Sequence, residues 1–169
     1  MPEMTLHCAF CGSSFGDQRG WPRTCASCHR TTYRNPLPVA VLLLPVRRGE
    51  RTGLLAIRRG IEPARGQLAL PGGYVEDGES WPAAACREAR EEADVVVDPA
   101  TVTTFDARSN PAGDRVLLFA LAPVVDEASL PAFTPTGETS ERTVIFEPQE
   151  LAFSLHTEAV ARYFRERGF

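Results

Sequence analysis

No stretch of the 169-residue sequence approaches the roughly twenty apolar residues that cross a bilayer, so a membrane span is not expected. It also lacks internal repeats and any low-complexity tail, which argues against solenoids and long disordered arms. A net charge of −4 leaves no basic footprint for duplex nucleic acid, and such a partner is not expected. The opening MPEMTLHCAF has neither the basic nor the apolar segment of a secretory signal. A reducing, cytoplasmic setting is therefore the expectation. The length fits one compact domain and a small additional unit.

What is present begins with cysteine pairs. Cys8-x-x-Cys11 and Cys25-x-x-Cys28 stand thirteen residues apart. Each pair can form a knuckle aiming two thiolates at one centre, and two knuckles complete a tetrahedral Zn²⁺ site. Two disulfides are the alternative, which a reducing compartment disfavours. So short a segment buries little apolar surface, and metal would supply much of its stability. Cys86, the fifth cysteine, reads as a small core residue. His7 and His29 flank the quartet but find it already complete.

The densest chemistry lies in GYVEDGESWPAAACREAREEADV, residues 73–95. Ser80 is a plausible N-cap, Pro82 suits a first turn, and a helix is expected over Trp81–Ala93. On a helical projection Glu88, Glu91 and Glu92 fall within about 100° of one another. Three carboxylates on one face repel unless a cation joins them. Oxygen-only donors suit Mg²⁺ or Mn²⁺, ions that commonly bring a phosphate with them. Glu79, one turn upstream, can fold back as a supporting ligand. An ordinary amphipathic surface helix is the competing reading, with Arg87 and Glu91 as a modest i,i+4 pair.

The spacing G-x5-E-x7-R-E-U-x-E-E-x-G-U resembles the box of the Nudix hydrolase family. Gly73, Glu79, Arg87, Glu88, Ala89, Glu91, Glu92 and Val95 fill it in order, and Glu76 matches a further acid common in members. Asp94 stands where the family has glycine; Asp tolerates the left-handed conformation such a position needs. The resemblance implies an α/β/α sandwich with a mixed sheet, here preceded by an N-terminal zinc ribbon. Residues 1–35 would be the ribbon and 36–169 the hydrolase domain, joined at Tyr33-Arg34-Asn35-Pro36.

It further implies metal held by Glu88, Glu91, Glu92 and the Gly73 carbonyl, with Arg87 orienting the glutamates. The metal would neutralise a diphosphate and lower the pKa of a bound water. Glu92, or a loop acid at Glu138 or Glu141, would accept the proton. Arg58 or Arg59, with Gly72, would face the polyphosphate. Phe133, Phe105 and Tyr33 are the aromatic candidates for clamping a base. His156 reads as a capping or surface residue.

Ribbon, YxNP and box in this order resemble two subgroups. NADH pyrophosphatases carry an SQPWPFP-like signature that this sequence lacks. Enzymes resembling FAD and ADP-ribose pyrophosphatases share the segments Phe133-Thr134-Pro135, Glu138, Glu141 and Glu150-Leu151-Ala152-Phe153. The expected activity is thus hydrolysis of a nucleoside diphosphate linked to another group, such as ADP-ribose or FAD, releasing a nucleoside monophosphate. A housecleaning nucleoside triphosphate pyrophosphatase and a non-catalytic nucleotide sensor are the alternatives. Many members of the family are homodimers.

Elsewhere, Leu37–Val46 reads as one central strand, and Leu54–Arg58 as its partner after a polar turn. Leu68–Leu70, Val95–Val97, Val102–Phe105, Arg115–Leu121 and Arg142–Phe146 also read as strands. Pro123–Thr136 reads as a loop, Pro148–Leu151 as a helical turn, and His156–Arg167 as the final helix.

Overall fold

The computed structural model describes residues 6–167. It divides into two compact units, Met1–Pro36 and Leu37–Phe169.

In the first, strands β1 (Arg23–Thr24) and β2 (Thr31–Thr32) form a small antiparallel hairpin. Cys8 and Cys25 are buried with Phe15, while Trp21 meets Phe15 edge-on at 6.1 Å. The Arg23 guanidinium stacks on Trp21 at 4.6 Å. That is a small apolar core for a folded unit.

The second unit runs β3 (Leu37–Leu43), β4 (Pro45–Arg48), β5 (Arg51–Arg59), β6 (Leu68–Ala69), β7 (Gly72–Tyr74), α1 (Trp81–Ala93), β8 (Thr103–Ser109), β9 (Arg115–Leu121), β10 (Val125–Asp126), β11 (Thr139–Ile145) and α2 (Ser154–Glu166). One mixed sheet has the order β7-β3-β9-β8, with β3 and β9 parallel. A second has β10-β4-β5-β11, with β6 also on β5.

Alternation along the central strands explains their unbroken apolarity. Ala40, Leu42, Leu55 and Ile57 join the cluster that covers α1, built on Ala84, Ala85, Ala89 and Ala93. Val41, Leu43, Leu54 and Ala56 face the other way, onto Val160, Tyr163 and Phe164 of α2. A strand buried on both faces needs apolar residues at every position. The result is the expected α/β/α sandwich.

Several local expectations are corrected. The run Leu37–Val46 is two strands in different sheets, interrupted at Leu44; Pro45, which has no N–H to donate, begins the second. Residues Val95–Val97 are not a strand, and Pro148–Leu151 is not helical. The loop Pro123–Thr136 contains β10 and a short 3₁₀ turn at Glu127–Ser129. Ser80 occupies the N-cap position of α1 without a side-chain capping bond.

Candidate functional site

Helix α1 begins after a Gly72–Gly73 strand and the turn that follows it, which brings its acidic face back onto β7. The approach at Gly73 is very close: a Cβ there would lie 2.3 Å from Glu88 Oε1. Any side chain at position 73 would have to displace that carboxylate. The neighbouring Gly72 N–H donates to Glu92 Oε2 at 2.9 Å. Strand and helix are therefore joined through the two carboxylates.

Arg87 organises the rest. Its guanidinium reaches Glu79 at 3.1 Å, Glu88 at 2.8 Å and Glu91 at 3.1 Å, and it also donates to the Tyr74 carbonyl at 3.0 Å. One cation thus holds three of the box acids. Hydrogen bonds from Arg87 pull the Glu79 carboxyl below its ordinary range.

Glu92 has no such cation and lies only 8% exposed. Burial pushes its pKa up to about 7, and the nearby charges of Glu88 and Glu138 add to the rise. Glu88 is also raised, mainly by burial. These carboxylates are short of positive charge, and a hard divalent cation would supply it. Glu88, Glu91, Glu92 and the Gly73 carbonyl are oxygen donors of the kind Mg²⁺ and Mn²⁺ take, so by donor chemistry they suit such an ion, although among the described residues only the cysteine quartet already converges on one centre.

The structure separates the two loop acids. Glu138, with Thr136, lines a cavity of about 310 Å³ together with Glu88, Glu91 and Glu92. Glu141 turns to Arg58, pairing at 2.6 Å. Arg58 is further tied to the Gly66 carbonyl. Of the neighbouring arginines it is Arg59 that faces the site, since successive strand residues point to opposite sides. Arg59 donates to the Pro63 carbonyl and stacks on Phe153 at 5.1 Å.

A larger cavity of about 520 Å³ opens beyond the glycines. Gly72 and Gly73 form part of its wall, with Arg59, Tyr74, Asn110, Arg115, Phe153 and His156. The Arg115 Nε donates to the Tyr74 hydroxyl at 3.0 Å. Its volume falls in the range of small-molecule sites. The three aromatics named from sequence are elsewhere. Phe133 stacks with Arg142 at 5.6 Å, Phe105 packs on Tyr163, and Tyr33 belongs to the first unit and is 66% exposed.

Tyr74, Asn110, Arg115 and Phe153 line this cavity without any local signal in the sequence that marks them. Phe153 lay in a segment noticed only as a family likeness, and the cavity forms from strands far apart in sequence. His156 is neither a cap nor a surface residue. It is buried inside α2, and its Nδ1 accepts the Leu70 N–H at 3.3 Å.

In the first unit the four cysteine sulfurs lie within 4.8 Å of one another, with Cys8–Cys28 at 3.7 Å and Cys11–Cys25 at 3.6 Å. Such separations exclude disulfide bonds of about 2.05 Å. They match the spacing of about 3.8 Å that follows from four sulfurs placed tetrahedrally around zinc at about 2.3 Å. The quartet fits zinc. The turns Gly12 N–H to Cys8 and His29 N–H to Cys25 shape the two knuckles.

Comparison with known proteins agrees with the geometry. The sequence model of the NUDIX domain matches residues 36–166. An uncharacterized Nudix hydrolase, NudL, of Escherichia coli strain SMS-3-5 is 37% identical over 121 residues. That match covers 69% of this chain and 59% of the relative, so the chain spans about three fifths of the curated protein's length. Among solved structures, a NUDIX hydrolase from Nitrosomonas europaea aligns over 95% of this chain and 91% of its own, with TM-score 0.67 and 26% identity. The NUDIX domain of Shewanella oneidensis NrtR, solved with ADP ribose, shares the fold at TM-score 0.61 and 19% identity, over 80% of this chain and 90% of its own.

Proposed function

This chain belongs to the Nudix hydrolase family, and from that premise we propose that it cleaves the pyrophosphate bond of a nucleoside diphosphate linked to a second group, releasing a nucleoside monophosphate. The observation that carries the reading is the Gly72–Gly73 strand. On one side it touches Glu88 and Glu92; on the other it walls a cavity large enough for a nucleoside. A diphosphate laid along this strand has the acids beside its bridge and room for its substituent beyond.

A bound Mg²⁺ or Mn²⁺ supplies charge neutralisation of the diphosphate oxygens. Glu88, Glu91, Glu92 and the Gly73 carbonyl would hold it, and Arg87 keeps Glu79, Glu88 and Glu91 in place. Glu92 or Glu138 accepts the proton of the attacking water. Arg59 offers its charge to the polyphosphate from the cavity side. In the first unit, Cys8, Cys11, Cys25 and Cys28 hold a structural Zn²⁺.

A panel of ADP-ribose, FAD, NADH and oxidised deoxynucleoside triphosphates, with Mg²⁺ or Mn²⁺ and products scored individually, tests the proposal. Nucleoside monophosphate from the linked diphosphates is the expected result. Turnover of the triphosphates alone, releasing pyrophosphate, overturns it. ADP-ribose is included because the NrtR domain was crystallised with it.

A further inference from the structure

His156 is a buried polar side chain of the large cavity to which the hydrolytic chemistry gives no role. Its ring is 6% exposed, meeting Phe119 edge-on at 5.9 Å and Phe153 at 5.1 Å. Nδ1 accepts the Leu70 amide N–H, so it carries no proton. Burial and the nearby Arg59 charge drive the imidazole's pKa down to about 3, so the ring is neutral at physiological pH. A neutral ring with an accepting Nδ1 must hold its proton on Nε2.

Among the described residues that N–H has no partner; the side-chain hydrogen bond of His156 is the one Nδ1 accepts from Leu70. Yet the buried side-chain polar atoms left without a partner, among the described residues, are the hydroxyls of Thr32 and Thr139. Nε2 is therefore not sealed in the core; it opens onto the cavity that the ring lines. In the open cavity water meets this donor, and a ligand that displaces the water must bring an acceptor of its own to that place.

We propose that His156 is a binding residue, whose Nε2–H donates to an acceptor atom on the nucleoside portion of the ligand beside Phe153. The inference rests on the reading that a nucleotide's diphosphate lies at Gly72–Gly73. The occupant's chemistry follows: a planar ring or sugar carrying a carbonyl, ring-nitrogen or hydroxyl oxygen acceptor.

Two variants separate fold from recognition. In His156→Asn the side-chain oxygen sits near the place of Nδ1 and keeps the Leu70 bond, but nothing reaches the cavity. In His156→Gln the amide nitrogen sits near the place of Nε2 and keeps the donor, but the Leu70 N–H loses its acceptor. ADP and methylenediphosphonate, which lacks base and sugar, are titrated calorimetrically with Mg²⁺ present. His156→Asn is expected to weaken ADP about three- to tenfold, leave methylenediphosphonate unchanged and, at pH 8, melt later than His156→Gln. His156→Gln is expected to keep ADP affinity within about twofold and to melt earlier.

Equal ADP affinity in wild type and His156→Asn overturns the inference, as does equal weakening of both ligands. A wild-type protein that hydrolyses no linked diphosphate but shows the expected titrations overturns only the catalytic reading. Wild type binding neither probe overturns both.

Discussion

The Asp94 carboxylate accepts the backbone N–H of Thr134 at 2.9 Å. Asp94 ends α1 in the left-handed conformation, at φ 53° and ψ 34°, where the family's box carries glycine. Its side chain thus ties the helix end to the loop leading to Thr136 and Glu138, which face the box acids. Arg142 adds to the tie, donating to the Ala93 and Pro131 carbonyls.

Replacing Asp94 by Gly removes that tie while relieving left-handed strain of about 1 kcal/mol. The two effects oppose, and overall stability should stay within about 1 kcal/mol of wild type. Hydrogen exchange at the amides of residues 131–136 should nevertheless accelerate, and turnover should fall. Asp94→Asn, which keeps an acceptor oxygen, should behave as wild type in both measurements.

Glu92→Gln should trade activity for stability. The amide oxygen still accepts the Gly72 N–H, while the buried charge is gone. Without metal at pH 8 the variant should be more stable by about 1–3 kcal/mol in denaturant unfolding. Mg²⁺ should raise the melting temperature of wild type more than that of the variant. Turnover should drop about 10²-fold or more.

Arg87→Lys keeps the charge but not the fork that meets Glu79, Glu88 and Glu91 together. Mg²⁺ affinity, followed by calorimetry, should weaken about tenfold or more, as when the groups orienting metal ligands are lost.

Stability should depend on pH through His156. Its folded-state pKa of about 3 lies below the ordinary 6.5, so its contribution is whole above pH 6.5 and declines as pH falls towards 3. Between pH 6.5 and 5 the loss is about 2 kcal/mol. Glu92 acts with the opposite sign: its pKa is raised from 4.5 to about 7, so acidification through 7 favours the metal-free fold. The wild-type profile is therefore flattened. His156→Asn should gain stability relative to wild type as pH is lowered from 7 to 5, measured by urea unfolding.

Stripping zinc with a chelator should release four reactive thiols and unfold the first unit, whose apolar core is small. The α/β unit should keep its own thermal transition, since its two clusters lie wholly within it.

Much of this was legible from local pattern. Helix α1 has the bounds its spacing predicts, because Pro82 suits the first turn and Asp94 can end a helix. The cysteine knuckles followed from ligand chemistry alone. Legibility failed where distant residues decide. Leu44–Pro45 belongs to an apolar run, and only the two-sheet topology shows that the chain changes sheets there. Val95–Val97 has strand propensity but no partner strand to bond, among the described residues. His156 looks like a helix-opening polar residue until Leu70, 86 positions earlier, supplies its partner. Phe153 meets Arg59 because α2, which it precedes, packs against β3, β5 and β9, an arrangement no window of sequence contains.

The absence of any side chain at position 73 sets a boundary for redesign. A single methyl there would meet the Glu88 carboxylate, which would have to swing away from its place over the strand. Tyr74, Asn110 and Arg115 line the cavity and leave latitude for substitution there, whereas any side chain at position 73 displaces a carboxylate that Arg87 holds.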